Sequence, residues 1–181
     1  MMLDYYNGLI AEAYEIAALK GWHDGEDFPM LNRTIISSKL ALIHSELTEA
    51  FYDWSKAGKK VTDDVLLELS DVAIRTYDLL GSMRIRFGEN DFASKPGVTS
   101  PQDPSDFAMQ LLDLHSCVSE ALEDLRRKDT AFPGGVSVKL LYLLTLLYGT
   151  AIAQGSDLSV FVARKMEYNR LRTHRHGGKL L

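Results

Sequence analysis

The chain has 181 residues, 46% of them apolar and 25% charged, and a net charge of −5. That length suits one domain, or two small repeats sharing a core. The acidic balance speaks against general nucleic-acid binding, which needs a basic face. A single cysteine, Cys117, leaves no partner for an intrachain disulfide and fits a reducing, cytoplasmic setting. The opening MMLDYYNGL has neither the basic start nor the apolar core of a secretion signal. The most apolar stretch, Leu140 to Ala153, falls short of the about 20 residues needed to cross a bilayer, so a buried helix and no membrane are expected.

In chain order, Leu9, Ile10, Ala13, Ile16 and Ala17 recur at helical spacing within Leu3–Lys20, and Gly21 ends that helix. GWHDGEDFPMLN, residues 21–32, reads as a loop, and Trp22 is its residue to follow. A helix from Asn32 or Thr34 to Ala57 stops at Gly58. Thr62, ahead of Asp63 and Asp64, has the chemistry of an N-cap for a helix reaching about Met83. Residues 84–104 carry loop-forming residues and form a linker. Helical spacing returns over Ser105–Lys128 and Val136–Gln154, and Ser156 or Asp157 caps a last helix reaching about His174. No strand-like alternation of useful length appears, so the expected fold is all-α. Three segments are expected: 1–83, the linker 84–104, and 105–181 packed with the first as one globular unit.

Two carboxylate pairs stand out. Glu46/Glu49 and Glu68/Asp71 are each spaced i, i+3, so both members share one face of their helix. On a helical wheel each pair lies about 90° to one side of its helix's apolar stripe, with the same sense on both helices. A short connection makes the helices antiparallel, which brings both pairs to one side of a shared seam. Four like charges converging there must be solvated, protonated or met by cations. Oxygen ligands without Cys or His favour Mg²⁺ or Mn²⁺ over zinc. Leu67 and Ile74 form a second apolar line on the later helix, available for burial or for pairing with a second chain as a homodimer. Arg75 is expected to pair with one of the acids, Asp78 to act as an outer-sphere ligand, and His44 and His115 to be structural.

The chain also repeats itself. LIHSELTEAFYDW matches DLHSCVSEALEDL through His-Ser and Glu-Ala, and Leu66–Ser82 aligns without a gap with Leu140–Ser156. In the second copy Cys117 stands for Glu46, Tyr142 for Glu68 and Thr145 for Asp71, and only Glu120 keeps an acid, that of Glu49. The second hairpin is therefore expected to bind no metal and to serve as scaffold.

E-x-x-E followed by E-x-x-D, with LALIHSELTEAF, LLELSDVAIRTYDLLG and KMEYNRLRTHRHGGK, resembles the MazG-like, all-α nucleoside triphosphate pyrophosphohydrolase superfamily. Where that superfamily often has another Glu just before the first pair, this chain has Ser45. The resemblance implies two tandem MazG-like hairpins in one chain in place of the usual dimer. It implies a metal site of Glu46, Glu49, Glu68 and Asp71 for Mg²⁺ (or Mn²⁺), with Glu49 or Glu46 as the base. Lys165, Asn169 and Arg172, at i, i+4 and i+7, would meet the phosphates, Trp22 would stack on the base, and HRHGGK would act as a lid or clamp. The implied activity is cleavage of a nucleoside triphosphate to monophosphate and pyrophosphate, in nucleotide-pool cleaning, with dUTP, dCTP or a phosphoribosyl nucleotide as other substrates. The rival from another class is a non-catalytic binding bundle. A ferritin-like di-iron protein wants E-x-x-H, which neither pair provides.

Overall fold

The computed structural model describes residues 2–24, 33–88, 106–127 and 134–178. All regular structure among them is helical: α1 Met2–Leu19, α2 Arg33–Lys56, α3 Asp63–Ser82, α4 Phe107–Arg126, α5 Gly134–Ala153, α6 Leu158–Leu171 and a single turn, α7, Arg175–Gly178. Residues 25–32 of the expected loop, most of the expected linker, Thr130–Pro133 and the last three residues lie outside the described residues. The all-α expectation holds. α6 stops earlier than expected, at Leu171, because Arg172 turns extended (φ −68°, ψ 154°).

α2 with α3 and α4 with α5 form the two hairpins, and α2 lies against α4. At Gly58 the chain leaves α2 with φ +67°, Lys59 follows at +62°, and the Lys59 amide closes back on the Trp54 carbonyl at 2.9 Å. Gly58 thus takes the left-handed position that ends many helices. α3 is the hub, packed by α1, α2, α5 and α6. Its apolar residues Val65, Leu69, Val72 and Leu80 are buried, and so are Ser70, Thr76 and Tyr77. Those polar groups are satisfied: Ser70 Oγ donates to the Leu67 carbonyl (2.6 Å), Thr76 Oγ1 to that of Val72 (2.7 Å), and Tyr77 OH to Tyr148 OH (3.0 Å).

α2 and α4 run antiparallel, as three contacts along their length demonstrate. Arg33 donates to the carbonyls of Leu125 and Arg127, His44 Nδ1 and His115 Nδ1 are 2.8 Å apart, and the Trp54 and Phe107 rings meet at 5.7 Å. The two imidazoles stack within 14° of parallel, and burial lowers the pKa of both. A shared proton in a neutral pair accounts for the short contact. The structural role expected of these histidines is what the helix interface displays.

α5 corrects one expectation. It begins at Gly134 and runs 20 residues, so its length and composition suffice to cross a bilayer. Its packing is that of a core helix: Val136, Leu140, Leu143 and Leu147 are buried among the other helices. Of the two roles open to Ile74, the structure gives it the intramolecular one: it packs on the core and faces a cavity beside α1.

Of the two expected caps, only one uses its side chain. Asp157 accepts the Ser159 amide at 2.9 Å, whereas Thr62 sits extended at the cap position and its hydroxyl makes no capping bond. Asp157→Ala is expected to lower stability by about 1 kcal/mol, and Thr62→Ala by clearly less. Urea unfolding of both variants checks this, and equal losses would refute the difference.

Candidate metal and ligand cavity

A cavity of about 380 Å³ opens between α1, α2, α3 and α6. The eight residues expected to hold metal, phosphate or base all line it: Trp22, Glu46, Glu49, Glu68, Asp71, Lys165, Asn169 and Arg172. They come together because α2 and α3 are antiparallel, so that residues with falling numbers on one helix meet rising numbers on the other. Glu46 thus meets Arg75 (Nη2–Oε1 2.5 Å), and Lys39, two turns earlier, meets Asp78 (3.0 Å).

Three acids converge. One carboxylate oxygen each from Glu46, Glu68 and Asp71 lies within 4.8 Å of the others. Glu49 lines the same cavity but is exposed, one turn nearer the α2–α3 connection, and stands outside this group. The expected convergence of four is therefore a trio with Glu49 at its edge. Ser45, where a further Glu was absent, is exposed on the cavity wall.

Charge at the trio is divided unevenly. Arg75 holds Glu46, as expected of it, and Lys165 Nζ lies 2.6 Å from Asp71. Glu68 has no ion-pair partner among the described residues. Burial, then the charges of Asp71, Glu46 and Glu49, push its carboxyl from 4.5 up to about 7, against the opposing pull of Lys165. Burial also raises Asp71, with Lys165 working the other way. A divalent cation would relieve both effects, since it supplies positive charge where the ionised acids lack water. The donor set is all oxygen and suits a hard cation such as Mg²⁺. Asn169 Oδ1, on the same cavity, is buried without a hydrogen-bond partner among the described residues, and is a further oxygen able to face such an ion.

The cationic wall comes from α6 and the residue after it. Lys165 and Asn169 share a face at i, i+4, and Arg172 follows at the helix end, its guanidinium 5.5 Å from the Tyr168 ring. Trp22 is set by Gly21, which ends α1 at φ +78° and lets the Trp22 amide reach the Ala17 carbonyl at 3.0 Å. A side chain at Gly21 would also run into the His174 ring. The segment after α6 is tied to this turn. The Arg175 amide donates to the Lys20 carbonyl (2.8 Å) and its Nε to that of Gly21 (3.0 Å), while His174 meets Asp24 at 3.1 Å.

Asp78 is not beside the acids. It accepts from Lys39 and from His23 Nε2 (2.8 Å), at the far end of the cavity. The outer-sphere role expected of it is thereby corrected: two helical turns from Asp71 separate it from the trio. Lys39 and His23 were not picked out in the sequence. Lys39 falls on the same face as Glu46, seven residues away, and that spacing was the available signal. His23 lies in a loop, where periodicity says nothing.

The second hairpin holds no comparable acid group among the described residues. Cys117 is buried, its thiol pushed up to about 12 by burial, and it donates to the Lys139 carbonyl at 3.1 Å. Thr145 is exposed, and Glu120 is exposed and paired with Lys139 at 2.5 Å. Comparisons with protein families, with curated proteins and with solved structures each gave no match.

The Glu68 shift has a sign that can be measured. Because the folded protein takes up this proton more readily than the unfolded chain, stability without metal falls as pH rises from 4.5 to about 7, and is level above. The melting temperature in chelator should drop between about pH 5 and about pH 8, and the drop should shrink in Glu68→Gln. An undiminished drop in that variant would place its origin elsewhere.

Proposed function

We propose that the chain is a divalent-metal-dependent nucleoside triphosphate pyrophosphohydrolase of the MazG-like kind, acting on the cytoplasmic nucleotide pool. The observation that carries this reading is the 2.6 Å contact between Lys165 and Asp71. Two sequence blocks chosen for their likeness to that superfamily, some ninety positions apart, are side by side at one cavity. A non-catalytic bundle gives no reason for K-x-x-x-N to meet E-x-x-D.

Glu46, Glu68 and Asp71, with Asn169 Oδ1, would hold Mg²⁺ or Mn²⁺. When bound, the ion supplies charge neutralisation at the phosphates and makes water more acidic. The chain's own groups do the rest. Glu49, exposed on the cavity wall and without an ion-pair partner among the described residues, orients and accepts a proton from the attacking water. Lys165 and Arg172 offset the charge that develops on the leaving pyrophosphate. Trp22 provides an aromatic face beside the apolar wall of Ala13, Ile16 and Ala17.

The tandem-hairpin reading belongs to the same proposal. A two-fold axis brings equivalent residues together, and His44 and His115, equivalent by the repeat, touch at 2.8 Å. Trp54 against Phe107 and Arg33 against Leu125 fit the same antiparallel pairing. The second hairpin then covers the face that a second subunit would otherwise cover.

Pyrophosphate release from a panel of nucleoside and deoxynucleoside triphosphates with Mg²⁺ or Mn²⁺ tests the proposal. Glu49→Gln should lower the rate by about a hundredfold or more, and Glu120→Gln should leave it unchanged. Absence of release from every nucleotide with either metal would refute it.

Addition of Mg²⁺ at about pH 8 should raise the melting temperature, and Asp71→Asn should diminish that rise. A rise of the same size in the variant would exclude Asp71 as a ligand.

A further inference from the structure

The cavity has a second polar end. Lys39 and Asp78 both line it, 3.0 Å apart, and they are only 5% and 15% exposed. His23 Nε2 is 2.8 Å from Asp78 Oδ1, and its Nδ1 is 3.5 Å from Lys39 Nζ. An ammonium only donates and a carboxylate only accepts, so the proton sits on Nε2 and Nδ1 accepts from the lysine. Buried ion pairs add little net stability compared with apolar residues of the same volume, because desolvation offsets their attraction. Tethering α2 to α3 is therefore a weak reason to keep a charged pair on a cavity wall.

Position supplies a better one. Asp78 is seven residues from Asp71 on α3, and Lys39 seven from Glu46 on α2, so the polar pair stands ~10.5 Å along the helices from the acid trio. The wall between them carries Leu42 and Ile74 beside the Glu46-bound Arg75, with Trp22 on the same cavity. The distance from the phosphates of a nucleotide to the outer edge of its base is of this order. Acids and cations at one end, a partly apolar middle and the Asp78 carboxylate at the other match phosphate, sugar and base in turn.

We infer that Asp78, held in place by Lys39 and His23, reads the base edge of a nucleotide in this cavity, and that the base it fits is guanine. The inference rests on the proposed function for the placement of the phosphates. Each Asp78 oxygen accepts one bond from within the protein and keeps a second lone-pair direction. Guanine presents two parallel donors, its ring N1–H and its 2-amino group, which suit the two oxygens of one carboxylate. Adenine and cytosine have one amino donor without an adjoining ring N–H. Thymine and uracil flank their ring N–H with carbonyls, which a carboxylate repels.

The test compares kcat/KM for dGTP, dITP, dATP, dCTP and dTTP on the unaltered protein, then on Asp78→Asn. Hypoxanthine lacks only the 2-amino group, so the loss of one hydrogen bond to a charged acceptor should make dITP about ten- to a hundredfold poorer than dGTP. Asp78→Asn should lose the preference for dGTP and favour deoxyxanthosine triphosphate, because an amide N–H can donate to the carbonyl at that position. Equal use of dGTP and dITP, or a dGTP preference unchanged in Asp78→Asn, overturns the inference while leaving the hydrolase standing. The dGTP–dITP comparison needs no variant, so it holds even if Asp78→Asn fails to fold. If no nucleotide releases pyrophosphate, the hydrolase falls. The melting temperature with Mg²⁺ and dGMP or dIMP then decides the base reading alone: a rise with dGMP only upholds it, and equal effects overturn it.

Discussion

The ion pair between Lys165 and Asp71 is the contact on which the arrangement of the cavity depends. α2 and α3 carry their acids on the flank of a shared apolar seam, where burial denies those acids full hydration. Burial is the leading cause of the upward shifts at Glu68 and Asp71. Unpaired, such a cluster would oppose the close packing of the two helices. α6 answers this by laying Lys165 against Asp71 while Arg75 answers Glu46 from within the hairpin. Glu68 makes no ion pair among the described residues and feels Lys165 only at longer range, so two of the three acids are directly paired and the third is not.

That need for partners is met at one hairpin only. α3 is packed on by α1 and α6, which line the same cavity, and α6 brings Lys165 to its acids. α5, the later helix of the second hairpin, carries Tyr142 and Thr145 at the positions that the sequence alignment pairs with Glu68 and Asp71. Cys117, which the sequence alignment pairs with Glu46, is buried and bonded to the Lys139 carbonyl, a group a carboxylate could not donate to. Among the described residues the second hairpin holds no acid group like that of the first. Its contribution is mechanical: α4 lies along α2 through the histidine contact and the Trp54–Phe107 rings, and holds the first hairpin from the side opposite the cavity.

How far the site could be read in advance follows from the same physics. Acids at i, i+3 with a common offset from an apolar stripe state their own relative position, because a helix has one period and an antiparallel hairpin one symmetry. Asp157 was legible as a cap for similar local reasons. Thr62 had the right chemistry, yet its hydroxyl makes no capping bond, since cap geometry depends on how the chain enters the helix. Asp78 was misjudged because the wheel puts it on the same face as Asp71 but cannot say which buried cation waits two turns away. Lys39 and His23, on another helix and in a loop, supplied that answer.

The sequence by itself determined the helices to within a few residues at their ends, the all-α class and the face on which each acid stands. These are local properties, set by a repeat of 3.6 residues and by residues such as Gly21 and Gly58 that suit a left-handed backbone. Tertiary structure alone decided that Glu49 stays outside the trio, that Lys165 pairs with Asp71, and that the cavity ends in a His23–Asp78–Lys39 cluster. Such pairings join residues from sixteen to ninety-four positions apart. No periodicity carries across loops of that kind, and only the packing of α1 and α6 against α3 determines which side chains are close enough to meet.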